Sequence, residues 1–280
     1  MIGAKMTNYK QVWKDVLFVG CIFCVLMTGV CLIFSPWLKD AVMKTKTSQL
    51  NMEHFSAQEI NNHTKNRKFE NDVTKIETPS ATSVLANINK VDQTNVIGEI
   101  TIADVHLRLP ILKGTNTHNL LVGATTLKET QVMGEGNYIL AGHHMKDEGM
   151  LFGPLLQVQT GTLIKLTDKQ NLYTYQVVEK KKIKERETDI LKESSSPILT
   201  LFTCDVAEAT DKRFVVKAKL VHTESVEGDS KYVEQYKQQV RMEKSKEKRH
   251  ITFLMVSIVC SCLLLVFLIF LLCNRNRVKK

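Results

Sequence analysis

The sequence predicts an all-β domain, a small barrel or sandwich of about eight short strands, held between two membrane-spanning helices. Two observations carry that reading. Residues 16–38 and 251–273 are long apolar blocks without a single charged side chain. Between them, residues 95–223 break into short runs of alternating apolar and polar residues separated by turn signals, the pattern of a small all-β unit.

Taken in order, residues 1–15 form a short tail bearing Lys5, Lys10 and Lys14. The block at 16–38 is longer than the apolar core of a cleaved secretory signal, roughly 7–15 residues, and reads as an uncleaved anchor. At about 1.5 Å per residue, each block is long enough to cross the ~30 Å hydrocarbon layer of a bilayer. Residues 274–280 carry Arg275, Arg277, Lys279 and Lys280 without an acid. Basic flanks stay on the cytoplasmic side, so both tails are expected inside and the region between the spans outside. The basic run at 241–249, just outside the second span, pulls against this orientation. A long segment translocates largely regardless of its charge.

Residues 39–94 are rich in Asn, Thr, Ser, Lys and Glu and read as an extracytoplasmic stalk, disordered or partly helical. Strands are expected at VIGEITI, VHLRLPI, NLLVGA, NYILAG, TLIKLT, LYTYQVVEKKKI, PILTLFTC and RFVVKAKLV. Lys113-Gly114, the 134–136 Gly-Glu-Gly, Thr160-Gly161 and the serines before Pro197 mark turns. GMLFGPLLQV suggests a short helix. Residues 224–250 are a juxtamembrane linker or a short amphipathic helix built on Tyr232, Val233, Tyr236 and Val240.

The formal net charge of +9 gathers near the membrane flanks, so anionic lipid is the expected partner and nucleic acid is not. Of seven cysteines, six fall inside the two apolar blocks, leaving Cys204 with no soluble partner for an intramolecular disulfide. It ends a strand-like run and opens into a polar loop, with Arg213 nine residues on at the start of the next strand. A guanidinium there would favour thiolate and stabilise an oxyanion. His143 ends another strand-like run, and an imidazole both takes a thiol proton and delivers one to a leaving amine. Taken alone, a Cys at a strand end is more often a small buried hydrophobe than a nucleophile, a lone His is more often structural or exposed than catalytic, and Arg213 reads also as a surface residue.

T-L-F-T-C at 200–204 with Arg213, and L-A-G-H at 140–143, together with IGEITIADVHLRLPILKGT, MGEGNYILAGHHM, MLFGPL and YTYQV, resemble the sortase family, most closely its class A. The resemblance implies an eight-stranded sortase-type β-barrel with short helices. It implies Cys204 as nucleophile, His143 as general acid and base, Arg213 as the holder of substrate and oxyanion, and Thr203 as a substrate-binding neighbour. By alignment His143 acts and His144 is cleft wall or surface. The implied reaction cuts an LPxTG-like signal on surface proteins between Thr and Gly through a thioacyl-enzyme. The acyl group then passes to an amine of lipid II or of the peptidoglycan cross-bridge. Such an enzyme would sit on the membrane of a Gram-positive bacterium with its catalytic domain outside. No cofactor is expected and, although some relatives bind calcium, no metal.

A second span is unusual for class A and more usual among pilin-polymerising members. The Asp-Pro-aromatic lid of those enzymes is missing, since none of the five prolines follows an Asp. A papain-like protease would run Cys before His, the reverse of the order here. An L,D-transpeptidase would place its Arg nearer the Cys, in a His-Gly-Cys context. A non-catalytic membrane scaffold is the alternative from a different class.

Overall fold

The computed structural model describes residues 35–72, 78–208, 210–227 and 233–242, with a few isolated positions elsewhere. Eight strands close a barrel: β1 (Val96–Ile102), β2 (Leu107–Leu112), β3 (Ala124–Thr126), β4 (Asn137–Ala141), β5 (Leu163–Thr167), β6 (Asn171–Lys184), β7 (Ile198–Cys204) and β8 (Lys212–Ser225). Their order around the barrel is β1-β2-β3-β4-β7-β8-β6-β5. Closure leaves no strand edge unpaired. Most neighbours are antiparallel, but β2–β3 and β4–β7 run parallel. The second of these pairs aligns the ends of β4 and β7, which brings the residues after Ala141 beside those after Phe202.

The core is the inward set of this alternation. Ile100, Ile111, Leu140, Tyr175, Leu199, Leu201 and Val216 are all buried. Gly134, in one of the expected turns, has φ +84°, and a Cβ there would meet the Tyr173 ring at 2.7 Å, so only glycine fits.

Two local readings need correction. NLLVGA is not one strand: Asn116 accepts backbone hydrogen bonds from His118 and Asn119 and caps a single helical turn, Thr117–Leu120, before β3 begins at Ala124. The helix expected around MLFGPL is a 3-10 segment, Gly153–Gln157, with Pro154 in its first turn.

The region expected as a stalk is folded against the barrel. Residues 35–49 are helical, and two further helices follow, α1 (Ala57–Asn66) and α2 (Ala81–Asn87), each opened by a serine capping box. Met43, Leu50, Met52, Ile60, Val84 and Ile88 are buried in the same core cluster as the strands. Lys169 donates to the carbonyls of Met52 and Phe55, and His63 Nδ1 donates to that of Val96 at 2.9 Å. The polar composition hid this segment because its buried apolar residues are few and scattered, and only folding gathers them onto the sheet.

The helical residues 233–242 also dock on the barrel, with Val233 and Gln239 buried. Below them Glu99 and Arg108 form a fully enclosed ion pair at 3.0 Å. Tyr236 donates its hydroxyl to Glu99 at 3.1 Å, and the Met52 amide faces the same carboxylate at 3.4 Å. Among the described residues no helix is long and apolar enough to cross a membrane. The two expected spans lie largely outside the described residues.

Candidate active site

Cys204 is the last residue of β7 and stands directly opposite Arg213 in the antiparallel β7–β8 register. Arg213 in turn pairs with Ile183 on β6. His143 follows β4 on the neighbouring side, where the Gly142 amide donates to the Phe202 carbonyl at 3.3 Å. The four residues selected from the sequence, His143, Thr203, Cys204 and Arg213, therefore line one open cleft of about 660 Å³. Its apolar wall is made by Leu120, Leu127, Ile183, Ile190, Leu191 and Phe202. The loop between β6 and β7 supplies Ile190 and Leu191, which roof the cleft.

Gly142 explains why the histidine segment needs its glycine. A Cβ at that position would lie 2.7 Å from the buried Phe152 ring, which packs under the turn. Phe152 donates its amide to the His143 carbonyl at 3.0 Å, so the same residue fixes the backbone on both sides. Thr203 is buried, and its hydroxyl donates to the Gly142 carbonyl at 2.7 Å. That bond ties the cysteine strand to the histidine turn.

His144 points away from the cleft and is buried. Its Nδ1 lies 3.1 Å from the Cys204 carbonyl, which accepts, so Nδ1 carries the proton. This ring anchors the backbone of the cysteine, a role the sequence does not announce. Glu185 is a second residue that sequence reasoning missed, hidden in a charged run. Its carboxylate accepts from Arg213 Nη2 at 2.6 Å, while Nη1 donates to the carbonyls of Thr210 at 2.8 Å and Lys212 at 3.1 Å.

Electrostatics at the site favour the neutral forms of the thiol and the imidazole. Burial raises the Cys204 thiol, the Arg213 cation pulls it back, and Glu185 and Asp205 push it up again. His143 is only partly exposed; burial pushes it down to about 4, with the nearby Lys39 cation adding to the shift. Both shifts work against the thiolate–imidazolium pair. Lys39 is held beside the cleft by its bond to the Pro79 carbonyl at 3.3 Å, and Thr78 borders the cleft itself. Among the described residues no three His, Cys, Asp or Glu side chains group to hold a metal ion.

Residues 100–221 match the family described as the sortase domain. Sortase A of Listeria monocytogenes is 43% identical over 211 residues, 74% of this chain and 94% of that protein. The chain belongs to the sortase family. Sortase A of Bacillus anthracis is 40% identical over 154 residues, covering 55% of this chain and 72% of that protein. Sortase A of Streptococcus agalactiae is 33% identical over 226 residues, 78% and 91% respectively. The solved structure of L. monocytogenes sortase A covers 51% of this chain and 96% of its own, at 48% identity and a TM-score of 0.48. This sortase is thus a cysteine transpeptidase, and its similarity runs to class A. The matched residues, 100–221, fall within the eight-stranded barrel described above.

Proposed function

We propose that this sortase is a class A enzyme of the Gram-positive cell membrane that anchors surface proteins. Its substrate would be an LPxTG-like signal, cut between Thr and Gly. The observation that supports this best is the juxtaposition of Cys204 and Arg213 across one β-ladder step, with His143 on the same cleft. In the first half-reaction the Cys204 thiolate adds to the threonine carbonyl, and the Arg213 guanidinium takes the developing oxyanion. His143, holding the thiol proton, gives it to the departing glycine amine. In the second half an amine of lipid II or of the peptidoglycan cross-bridge attacks the thioester and His143 removes its proton. The thiolate leaves and the amide is formed. Thr203 borders the bound signal.

On this reading residues 16–38 and 251–273 span the membrane, both tails are cytoplasmic, and the barrel faces outward. The second apolar block favours one further reading, a pilin-polymerising role, in which a lysine side chain of a pilin would be the accepting amine. The test uses the full chain in detergent with an LPETG-type peptide and a choice of acceptors: oligoglycine, an alanine-led amine, or a pilin-type lysine peptide. Products are read by mass spectrometry beside Cys204→Ala. Ligation to the short amines that requires Cys204 supports anchoring, ligation to the lysine peptide alone supports polymerisation, and no cleavage of the peptide overturns the substrate assignment.

A further inference from the structure

Asn137 is the first residue of β4, the strand that leads to His143, yet it lies at the far end of that strand from the cleft. It is buried, and its amide is used on both sides. Nδ2 donates to the Ile190 carbonyl at 2.9 Å and to the Lys192 carbonyl at 2.8 Å. Oδ1 accepts from the Thr200 hydroxyl at 2.7 Å, on the strand that ends at Cys204. The orientation of the amide is dictated by its surroundings, because two carbonyls need donors and would repel an oxygen. One side chain thus joins the histidine strand, the cysteine strand and the loop that roofs the cleft.

The roof has few other ties to the barrel at its middle. Glu193 reaches Lys128 at 2.5 Å and accepts from the Asn137 backbone N–H at 3.4 Å, but its carboxylate is largely exposed and such bonds hold weakly. Ile190 packs against Ile183 and Val215, apolar contact that sets no register. The directional bonds that fix how far Ile190 and Leu191 descend toward the cleft come from the Asn137 amide, and they are shielded from water, where losing a partner is costly.

We propose that Asn137 is a positioning residue for peptide recognition: through the Ile190 and Lys192 carbonyls it sets the height of the 185–197 loop over the substrate path. It touches no reacting atom. The proposal rests on the transpeptidase reading of the cleft and separates binding from chemistry within it.

The test uses the full chain with Asn137→Asp, which keeps the shape but turns two donors toward the carbonyls into acceptors, and Thr200→Val, which removes only the bond that orients the amide. Three quantities are read: KM and kcat for an LPxTG peptide, the rate at which iodoacetamide alkylates Cys204, and hydrogen exchange of the amides of 188–192. Expected for Asn137→Asp is a KM raised about tenfold or more, with kcat and alkylation within about twofold of the parent. Thr200→Val is expected to raise KM two- to fivefold with the same split, and to speed exchange across 188–192. A folded Thr200→Val with unchanged KM and unchanged exchange overturns the proposal, as does a parallel fall in kcat and alkylation. The exchange measurement needs no substrate, so it stands even if the parent enzyme fails to acylate on the LPxTG peptide, a failure that counts against the functional reading alone.

Discussion

Arg108 and Arg213 are each paired with a glutamate, and the two pairs share little beyond their charges. The Arg108–Glu99 pair is sealed: the carboxylate is wholly buried and receives two guanidinium bonds, the Tyr236 hydroxyl and a backbone amide. Its partners come from the barrel, from the segment before it and from the helix after it. The Arg213–Glu185 pair sits at the cleft, where Glu185 is 62% exposed and the guanidinium leans on the Thr210 and Lys212 carbonyls. A saturated pair fixes three parts of the chain to one another. An unsaturated one leaves a cation that an arriving carbonyl oxygen can claim. The same two side-chain types give architecture in one place and reactivity in the other, and the difference is solvent access.

Breaking the sealed pair should have the largest effect on stability. Arg108→Ala strands an uncompensated carboxylate in the wall and is expected to cost about 3–5 kcal/mol, read from the midpoint of urea unfolding. Activity per folded molecule should not change, because Arg108 lies outside the cleft. Arg213→Ala should do the converse. On the role proposed for it, kcat/KM for the peptide falls by about 10²–10³. Loss of its partly exposed ion pair should cost no more than about 1 kcal/mol of stability. If both variants lost stability and activity together, the division between the two pairs would be wrong. Tyr236→Phe tests the sealed site more gently. It removes one hydrogen bond to a charged acceptor, about 1.5–3 kcal/mol, and should be silent in peptide turnover.

Legibility in the sequence divides along the same line. Strands β4 and β7 and the residues at their ends are legible because alternation and turn residues are local signals, and Cys204 stands out as the cysteine outside the apolar blocks. The barrel order is not legible, since periodicity says nothing of which strands meet. Met43, Leu50 and Ile60 read as parts of a stalk because they are scattered along a polar segment; only the folded chain brings them to one surface. NLLVGA looks like a strand because an apolar run does not reveal that the Asn116 side chain will cap a turn in front of it. His144, expected as cleft wall or surface, is buried instead, and its bond to the Cys204 carbonyl is a contact across sixty residues of sequence. Glu185 and Asn137 act by partnership alone, and no local pattern marks either.

The smallest expected effect is the one that bears most directly on how the cleft is poised. Glu185 raises the Cys204 thiol while Arg213 lowers it, so the carboxylate offsets part of the cation that the thiolate would feel. Glu185→Gln keeps a polar group beside Arg213 and removes the charge. The pH profile of Cys204 alkylation by neutral iodoacetamide should then move toward lower pH, because the thiolate loses a neighbouring anion and keeps its cation. Glu185 is open to solvent, so the displacement should shrink as salt is added and the field is screened. Glu187→Gln serves as the control: it borders the same cleft but is not among the charges that act on the Cys204 thiol, and the profile should stay in place. A Glu185→Gln profile displaced toward higher pH would mean that the carboxylate holds Arg213 in position for the thiol more than it neutralises it. The cleft pair would then be architectural like the buried one, and the contrast between them would collapse.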